Sequence, residues 1–193
     1  MKFIKITMII TIYIVLFFSC SNQKMSLLKL WDIEKTVNYK NFANEDKIKV
    51  EKILHGFSLE ESKNKSNWDS GYSQQCYILR KLYFSEIIDL KDFLDSCIEV
   101  YKRYMANNKT ISFHTAGYAV CLYYSDYEKE SKNLFSEILE KSSISNFSNQ
   151  DEYNIVIAVC NKFLEKKNID NLEIYTVLHK MTDEEIMSIF CGN

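Results

Sequence analysis

The stretch Phe113-His-Thr-Ala-Gly-Tyr-Ala-Val-Cys-Leu-Tyr-Tyr124 is apolar on almost every side of a helical wheel and contains no charged residue. A helix without a polar face is usually central and buried in its domain. We therefore expect residues 113–124 to form the central helix of this protein.

The segments on both sides of this stretch are amphipathic, as expected for helices that pack on a central one. Residues 89–107 have the clearest helical periodicity in the chain, and Asp89 is placed to cap their helix. Ser125-Asp-Tyr-Glu128 matches a capping box for the next helix. Glu128–Lys132 and Glu137–Lys141 in that helix have the favourable order for i,i+4 ion pairs.

Further amphipathic segments predict helices before and after this region. We expect helices over residues 27–38, 44–56, 72–87, 149–164, 172–181 and 182–190, opened in three cases by Asn44, Asn149 and Thr182. Gly56 is predicted to end the second helix. Ser58-Leu-Glu-Glu61 then predicts a weak capped turn, followed by an exposed loop that carries Trp68 and ends at Gly71.

The composition favours the same fold class. The chain has four glycines and no proline, whereas all-β and doubly wound α/β folds need many turn or phosphate-loop residues. We therefore predict an all-α fold, a single compact domain of about eight short-to-medium antiparallel helices. The pair from His114 to Lys141 faintly resembles a tetratricopeptide unit, with Ala119 and Ser131 at the close contact. The glycine, alanine and proline of that motif are absent, and no repeat of roughly 34 residues recurs.

The first twenty residues have the layout of an export signal. Lys2 and Lys5 precede thirteen residues, Ile6 to Phe18, that are almost without a polar break. A membrane-spanning helix needs about 20 apolar residues, so a permanent transmembrane anchor is the weaker interpretation.

The end of this segment, Leu16-Phe-Phe-Ser-Cys20, resembles the lipobox of bacterial lipoprotein precursors, although Phe17 and Phe18 depart from its strictest pattern. The resemblance implies that the Cys20 thiol receives a diacylglyceryl group and that the signal peptide is cut before Cys20. Residues 1–19 would be the lipoprotein signal peptide, residues 20–25 the lipidated cysteine and tether, and residues 26–193 the helical domain. The alternatives are an ordinary signal peptide or a short hydrophobic helix.

The resemblance also implies a location in the bacterial cell envelope, with the membrane as a partner through Cys20. Ser21, rather than the aspartate that retains lipoproteins at the inner membrane, follows Cys20. This favours the outer membrane or the periplasmic face of a membrane.

The charge balance narrows the range of partners. The chain from Cys20 onward has 22 basic and 26 acidic residues, a net charge of −4. Such a chain is a poor partner for nucleic acid, whose binding depends on basic surfaces. Cys76, Cys97, Cys121 and Cys160 fall on apolar helical faces and are predicted to be buried thiols. At least one disulfide among the five cysteines after Cys20, which include Cys191, is the alternative.

No sequence pattern defines a catalytic or metal site, and we expect no cofactor. His55, His114 and His179 share no metal-binding spacing, and His55 is expected in the last turn of its helix. The acidic run 183–185 is better explained by the first turn of a helix than by catalytic carboxylates. Trp68, Tyr72 and Trp31 are the candidate exposed aromatics for binding, each more often packed against the body.

Three functions follow as hypotheses. The favoured one is a non-enzymatic envelope lipoprotein whose helical domain binds another protein, for example an immunity-type protein that neutralises a toxin. The second is a helical bundle that binds a small ligand or lipid with its aromatic interior. The third is an enzyme whose site is assembled in space, in which His114 or His179 meets a carboxylate.

Overall fold

The computed structural model describes residues 27–63, 68–108, 110–166 and 172–190, and these ranges are helical, with no strand. The predicted all-α fold is therefore confirmed. The described residues form nine α-helices and one 3-10 turn over Ile144–Asn146. The helices are α1 Leu27–Glu34, α2 Asn44–Lys63, α3 Trp68–Phe84, α4 Leu90–Asn107, α5 Phe113–Tyr124, α6 Glu128–Lys141, α7 Gln150–Phe163, α8 Leu172–Lys180 and α9 Asp183–Phe190.

Consecutive helices pack against each other from α1 to α7 and alternate between two layers. The first layer contains α1, α3, α5 and α7, since α5 contacts α7 and a Lys81–Glu34 ion pair joins α3 to α1. The second layer contains α2, α4 and α6, and the Arg103 side chain of α4 reaches Ser58 of α2. Helix α9 turns back onto α5.

Helix α5 has the central position that its apolar sequence predicts. It contacts α4, α6, α7 and α9, and seven of its residues are buried. At the α5–α6 contact, the buried Ser131 hydroxyl donates a hydrogen bond to the Ala119 carbonyl oxygen over 2.7 Å. Small residues at both positions let the two helices approach closely, as the sequence predicts for this pair.

The prediction that Gly56 ends a helix is wrong, because α2 continues to Lys63. A Cβ atom on Gly56 would lie 2.5 Å from Leu30 Cδ2. The glycine therefore permits the close crossing of α1 over α2 and has no terminating role.

The predicted break after Gly56 is wrong for the same reason. Ser58 lies inside α2, and its hydroxyl donates to the Leu54 carbonyl four residues earlier instead of capping a new helix. Trp68 is the first residue of α3, so the predicted loop to Gly71 is partly helical. His55 consequently lies within α2 and not in its last turn.

Three of the predicted helix starts are confirmed by their hydrogen bonds. The side chains of Asp89 and Asn149 accept from backbone N–H groups three residues later, each over 2.8 Å. Thr182 and Glu185 form a reciprocal capping box. The capping box predicted at Ser125 is wrong, because the residue before α6 is Tyr127 and no side chain caps it.

The predicted buried thiols are confirmed at the four cysteines that the structure describes. Cys76, Cys97, Cys121 and Cys160 are all buried, and none of these four is in a disulfide. Burial raises the pKa of the Cys160 thiol well above its usual range, which keeps it protonated and unreactive. Cys191 and Cys20 lie outside the described residues.

A buried ion pair joins the first and third helices. Glu34 has a side chain only 5% exposed, and it accepts a hydrogen bond from the Lys81 ammonium over 2.6 Å. The Tyr39 hydroxyl donates to the same carboxylate over 3.2 Å, and the Lys81 ammonium lies 5.0 Å from the Tyr39 ring centroid. Burial disfavours the Lys81 cation, but hydrogen bonds to Glu34 and Tyr77 outweigh it and raise the pKa of Lys81.

We expect Lys81→Ala to lower the free energy of unfolding by about 2 kcal/mol, because it leaves the buried Glu34 carboxylate without its cation. Lys91→Ala is the matched control, since it breaks a pair with Asp95 whose side chains are 82% and 54% exposed. Such an exposed pair contributes about 0.5 kcal/mol. Urea unfolding measures the free energy of unfolding of both variants. Equal losses of stability in the two would contradict a structural role for the Glu34–Lys81 pair.

Candidate interaction surface

An open groove of about 430 Å³ lies where the start of α4 meets the turn between α5 and α6. Helix α4 contributes one wall and the turn contributes the other. The lining residues are Leu90, Lys91, Leu94 and Asp95 from α4, and Tyr124, Ser125, Asp126 and Tyr127 from the end of α5 and the turn.

Two further depressions adjoin this groove. One of about 200 Å³ lies between α4 and α6, and one of about 360 Å³ lies at the start of α6. Tyr127 lines all three. We name this region the Tyr127 surface, defined by Leu90, Leu94, Asp95, Ser125, Asp126, Tyr127, Glu128 and Glu130.

The local backbone explains why Tyr127 projects into solvent. The Tyr127 N–H donates to the Leu122 carbonyl oxygen over 3.0 Å, which closes the end of α5. Asp126 has a φ of 64°, a left-handed conformation that aspartate tolerates better than most residues. The chain therefore reverses within three residues, and Tyr127 is left 55% exposed.

Apolar side chains also lie across the groove from Tyr127. Leu90 is 40% exposed, whereas Leu94 is 3% exposed and forms part of the groove floor. A large exposed aromatic side chain beside an apolar groove is a frequent anchor for protein partners. The surface therefore has the chemistry of a docking site.

One buried polar group lies in the turn beside the groove. The Ser125 hydroxyl oxygen is buried and has no hydrogen-bond partner among the described residues. Leaving a buried polar group unpaired costs about 1–3 kcal/mol. Because this oxygen is buried, it is not open to the groove.

Ion pairs fix several of the charged side chains around this surface. Asp95 pairs with Lys91 over 3.1 Å, and Glu99 pairs with Lys102 over 2.9 Å. In both pairs the hydrogen bond to the carboxylate raises the pKa of the lysine. Burial and the nearby Glu130 charge likewise raise the pKa of Tyr118 beneath the surface.

A second groove of about 460 Å³ lies between α2 and α4. On it, Arg103 donates to the Ser58 hydroxyl over 2.8 Å and to the buried Gln75 amide oxygen over 2.7 Å. These bonds tie α4 to α2 and α3. The guanidinium thus joins α4 both to α2 of the second layer and to α3 of the first layer.

Two of the aromatic residues proposed from the sequence are packed and not exposed. Tyr72 is 3% exposed and its ring centroid lies 5.2 Å from that of Tyr104. Trp31 is half-buried, in edge contacts with Phe57 and Tyr77. The Trp68 side chain lies outside the described residues.

The three histidines differ in their exposure and in their contacts. His114 is half-buried, with Nε2 3.4 Å from the Ser73 hydroxyl and its ring 4.8 Å from Tyr104. A serine beside a histidine is the beginning of a nucleophilic site, but the distance is longer than the usual 2.6–3.2 Å. His55 and His179 are exposed, and His179 stacks on Tyr175 in the last turn of α8.

The acidic run 183–185 lies in the first turn of α9, as the sequence predicts. Glu185 completes the capping box with Thr182, and Asp183 accepts a hydrogen bond from the Tyr124 hydroxyl over 2.9 Å. Burial, together with this bond, raises the pKa of Tyr124 far above its usual range. These carboxylates therefore have structural partners.

Within the described ranges, no three histidine, cysteine or acidic side chains are grouped closely enough to hold a metal ion. Nor does any described helix have the length and apolarity needed to cross a bilayer.

Comparisons with protein-family models, with curated proteins and with solved structures give no match. The described residues belong to the all-α class of folds and form a two-layer domain. The Tyr127 surface is the candidate binding site of this domain.

Proposed function

We propose that this protein is a bacterial envelope lipoprotein, anchored to a membrane through Cys20, whose helical domain binds another protein through the Tyr127 surface. The observation that carries the binding part is the exposed Tyr127 ring at the junction of three depressions. The lipobox resemblance at residues 16–20 supports the anchor. An immunity-type role, in which the partner is a toxin, is one form of this proposal.

The packing of the aromatic residues favours protein binding over the alternative of a small-ligand or lipid bundle. Phe135 stacks on Phe163 at 5.1 Å between ring centroids, and Tyr83 stacks on Phe93 at the same distance. These rings fill space between helices. The depressions that form the Tyr127 surface are open ones on the outside of the domain, a shape better suited to a protein segment than to an enclosed ligand.

The third function, an enzyme with a site assembled in space, has one specific observation in its favour. The structure brings Ser73 to His114, residues 41 positions apart in the sequence. A nucleophilic site also needs a group that orients the histidine and donors that stabilise an oxyanion. We therefore rank this function below protein binding.

Site-specific photo-cross-linking in the producing cells tests the proposed binding surface. A photoreactive phenylalanine analogue replaces Tyr127 in one variant and Val177 in a control variant. Val177 is 53% exposed, close to the value for Tyr127, but lies on α8 and lines none of the three depressions. We expect one abundant cross-linked protein species from position 127 and at least fivefold less of it from position 177.

Equal cross-linking from both positions would show that Tyr127 is ordinary exposed surface. No protein product from either position would contradict the proposed function as a whole. The cross-linked species must persist when the cells express the protein at its natural level, because overexpression crowds the membrane and creates chance contacts.

A further inference from the structure

The Tyr127 surface carries an excess of negative charge. Five carboxylates and three lysines line its three depressions, a net charge of −2. Lys91 and Lys102 are engaged with Asp95 and Glu99. Glu128 is paired with Lys132, so Asp126, Lys129 and Glu130 remain around the exposed Tyr127 ring, with a net charge of −1.

The same surface combines this charge with exposed apolar groups. Leu90 and Tyr127 supply exposed apolar area, and Leu94 supplies the floor of the groove. The charged and apolar features adjoin one another in a region that one polypeptide segment can cover.

We infer that the Tyr127 surface binds a segment of a protein partner in which lysine or arginine residues alternate with apolar ones. This inference rests on the proposed function and specifies its partner. The cations of the segment pair with Asp126 and Glu130, and its apolar residues pack on Leu90 and Tyr127.

Physical reasons favour such a segment over other ligands. A tyrosine ring attracts a lysine or arginine cation to its face, and nearby carboxylates strengthen that attraction. Nucleic acids and anionic lipid headgroups would be repelled by the net negative charge of the surface. A purely apolar segment would bring no cation to Asp126 and Glu130.

Mass spectrometry of the segment cross-linked at position 127 tests the inference in the full chain. The partner peptide joined to this position is expected to contain at least one lysine or arginine next to apolar residues. Asp126→Asn together with Glu130→Gln is expected to lower the yield of this cross-link by about fivefold, because complementary charges steer association. Asparagine tolerates the left-handed backbone at position 126, so the fold is retained.

Glu140→Gln together with Asp151→Asn is the matched control. It removes the same charge from exposed positions on α6 and α7 outside the surface, and the cross-link yield is expected to change by less than twofold. The thermal unfolding midpoint of both double variants is measured to verify that they fold alike.

Each outcome has a separate meaning. A partner cross-linked through an acidic or uncharged segment, or a yield that both double variants lower equally, overturns the inference but leaves the proposed function intact. A cross-link to lipid instead of protein, or no product at position 127, overturns both.

Discussion

Replacement of Gly117 by valine is expected to lower the free energy of unfolding by about 3 kcal/mol, the upper end of the usual cost of overpacking a core. A Cβ atom at this position would lie 2.5 Å from the Tyr101 hydroxyl oxygen and 3.3 Å from Phe190 Cβ. Tyr101 is completely buried, and its hydroxyl donates to the Phe190 carbonyl over 2.7 Å. The tyrosine cannot move aside without losing this bond, which ties α9 to α4 beside Gly117 of α5.

Gly56→Ala is the control for the effect of a side chain on a helical glycine. Its Cβ would also lie 2.5 Å from a neighbour, but that neighbour is the flexible end of Leu30. Alanine gains up to about 1 kcal/mol of helix propensity over glycine, which offsets the contact. We expect a change of less than about 1 kcal/mol at position 56.

Urea unfolding monitored by circular dichroism measures both glycine variants. A Gly117→Val protein as stable as the parent would contradict the description of α9 as docked through Tyr101. If Gly56→Ala lowers the free energy of unfolding as much as Gly117→Val does, a contact with the flexible end of Leu30 costs as much as one with the Tyr101 hydroxyl.

Replacement of Cys20 by alanine is expected to abolish membrane attachment by lipid, because it removes the thiol that carries the diacylglyceryl group in the proposed lipoprotein. Each buried methylene of an acyl chain contributes about 0.8 kcal/mol to membrane binding, so several chains anchor a domain almost irreversibly. The variant should accumulate as an uncleaved precursor or be recovered without lipid.

Ser21→Ala is the control for the Cys20 variant, since it changes the neighbouring residue and keeps the thiol. Its processing and fractionation should match those of the parent protein. Metabolic labelling with a radioactive fatty acid, followed by electrophoresis, detects the anchor directly. Lipid label in the Cys20→Ala protein, or unchanged processing of it, would refute the proposed anchor.

Helical periodicity is the part of the sequence that predicted the fold best. The all-apolar segment 113–124 lies at the centre of the domain, and the stripe of residues 89–107 faces the core. Both predictions depend only on the spacing of apolar residues, which helical geometry converts into faces. The helix starts at Asp89, Asn149 and Thr182 were predictable for a similar reason, because their caps bond only to neighbouring residues.

The errors at Gly56 and Ser125 arise where tertiary contacts override local rules. Gly56 resembles a helix terminator in the sequence, but the passage of Leu30 over α2 decides its role. Ser125 has the spacing of a cap, yet the left-handed Asp126 ends α5 and places the serine in the turn beside the groove. Neither arrangement leaves a signal in the neighbouring residues.

The candidate surface was missed in the sequence because exposure depends on the packing of distant helices. Tyr127 is one of thirteen tyrosines and lies inside an apparent capping box, so nothing in its surroundings distinguishes it. Tyr72 and Trp31 were candidates because large aromatic side chains often anchor partners, but α4 and α2 cover them. A search for large apolar side chains at reversals between helices would have found Tyr127.

The most direct test of the account is the intact mass of the protein extracted from membranes after photo-cross-linking at position 127. The account predicts a chain that begins at Cys20, carries acyl chains on that residue and is joined to one partner protein. A chain that retains residues 1–19 or lacks acyl chains would contradict the anchor. Recovery of the acylated chain without a partner protein would contradict the role of the Tyr127 surface.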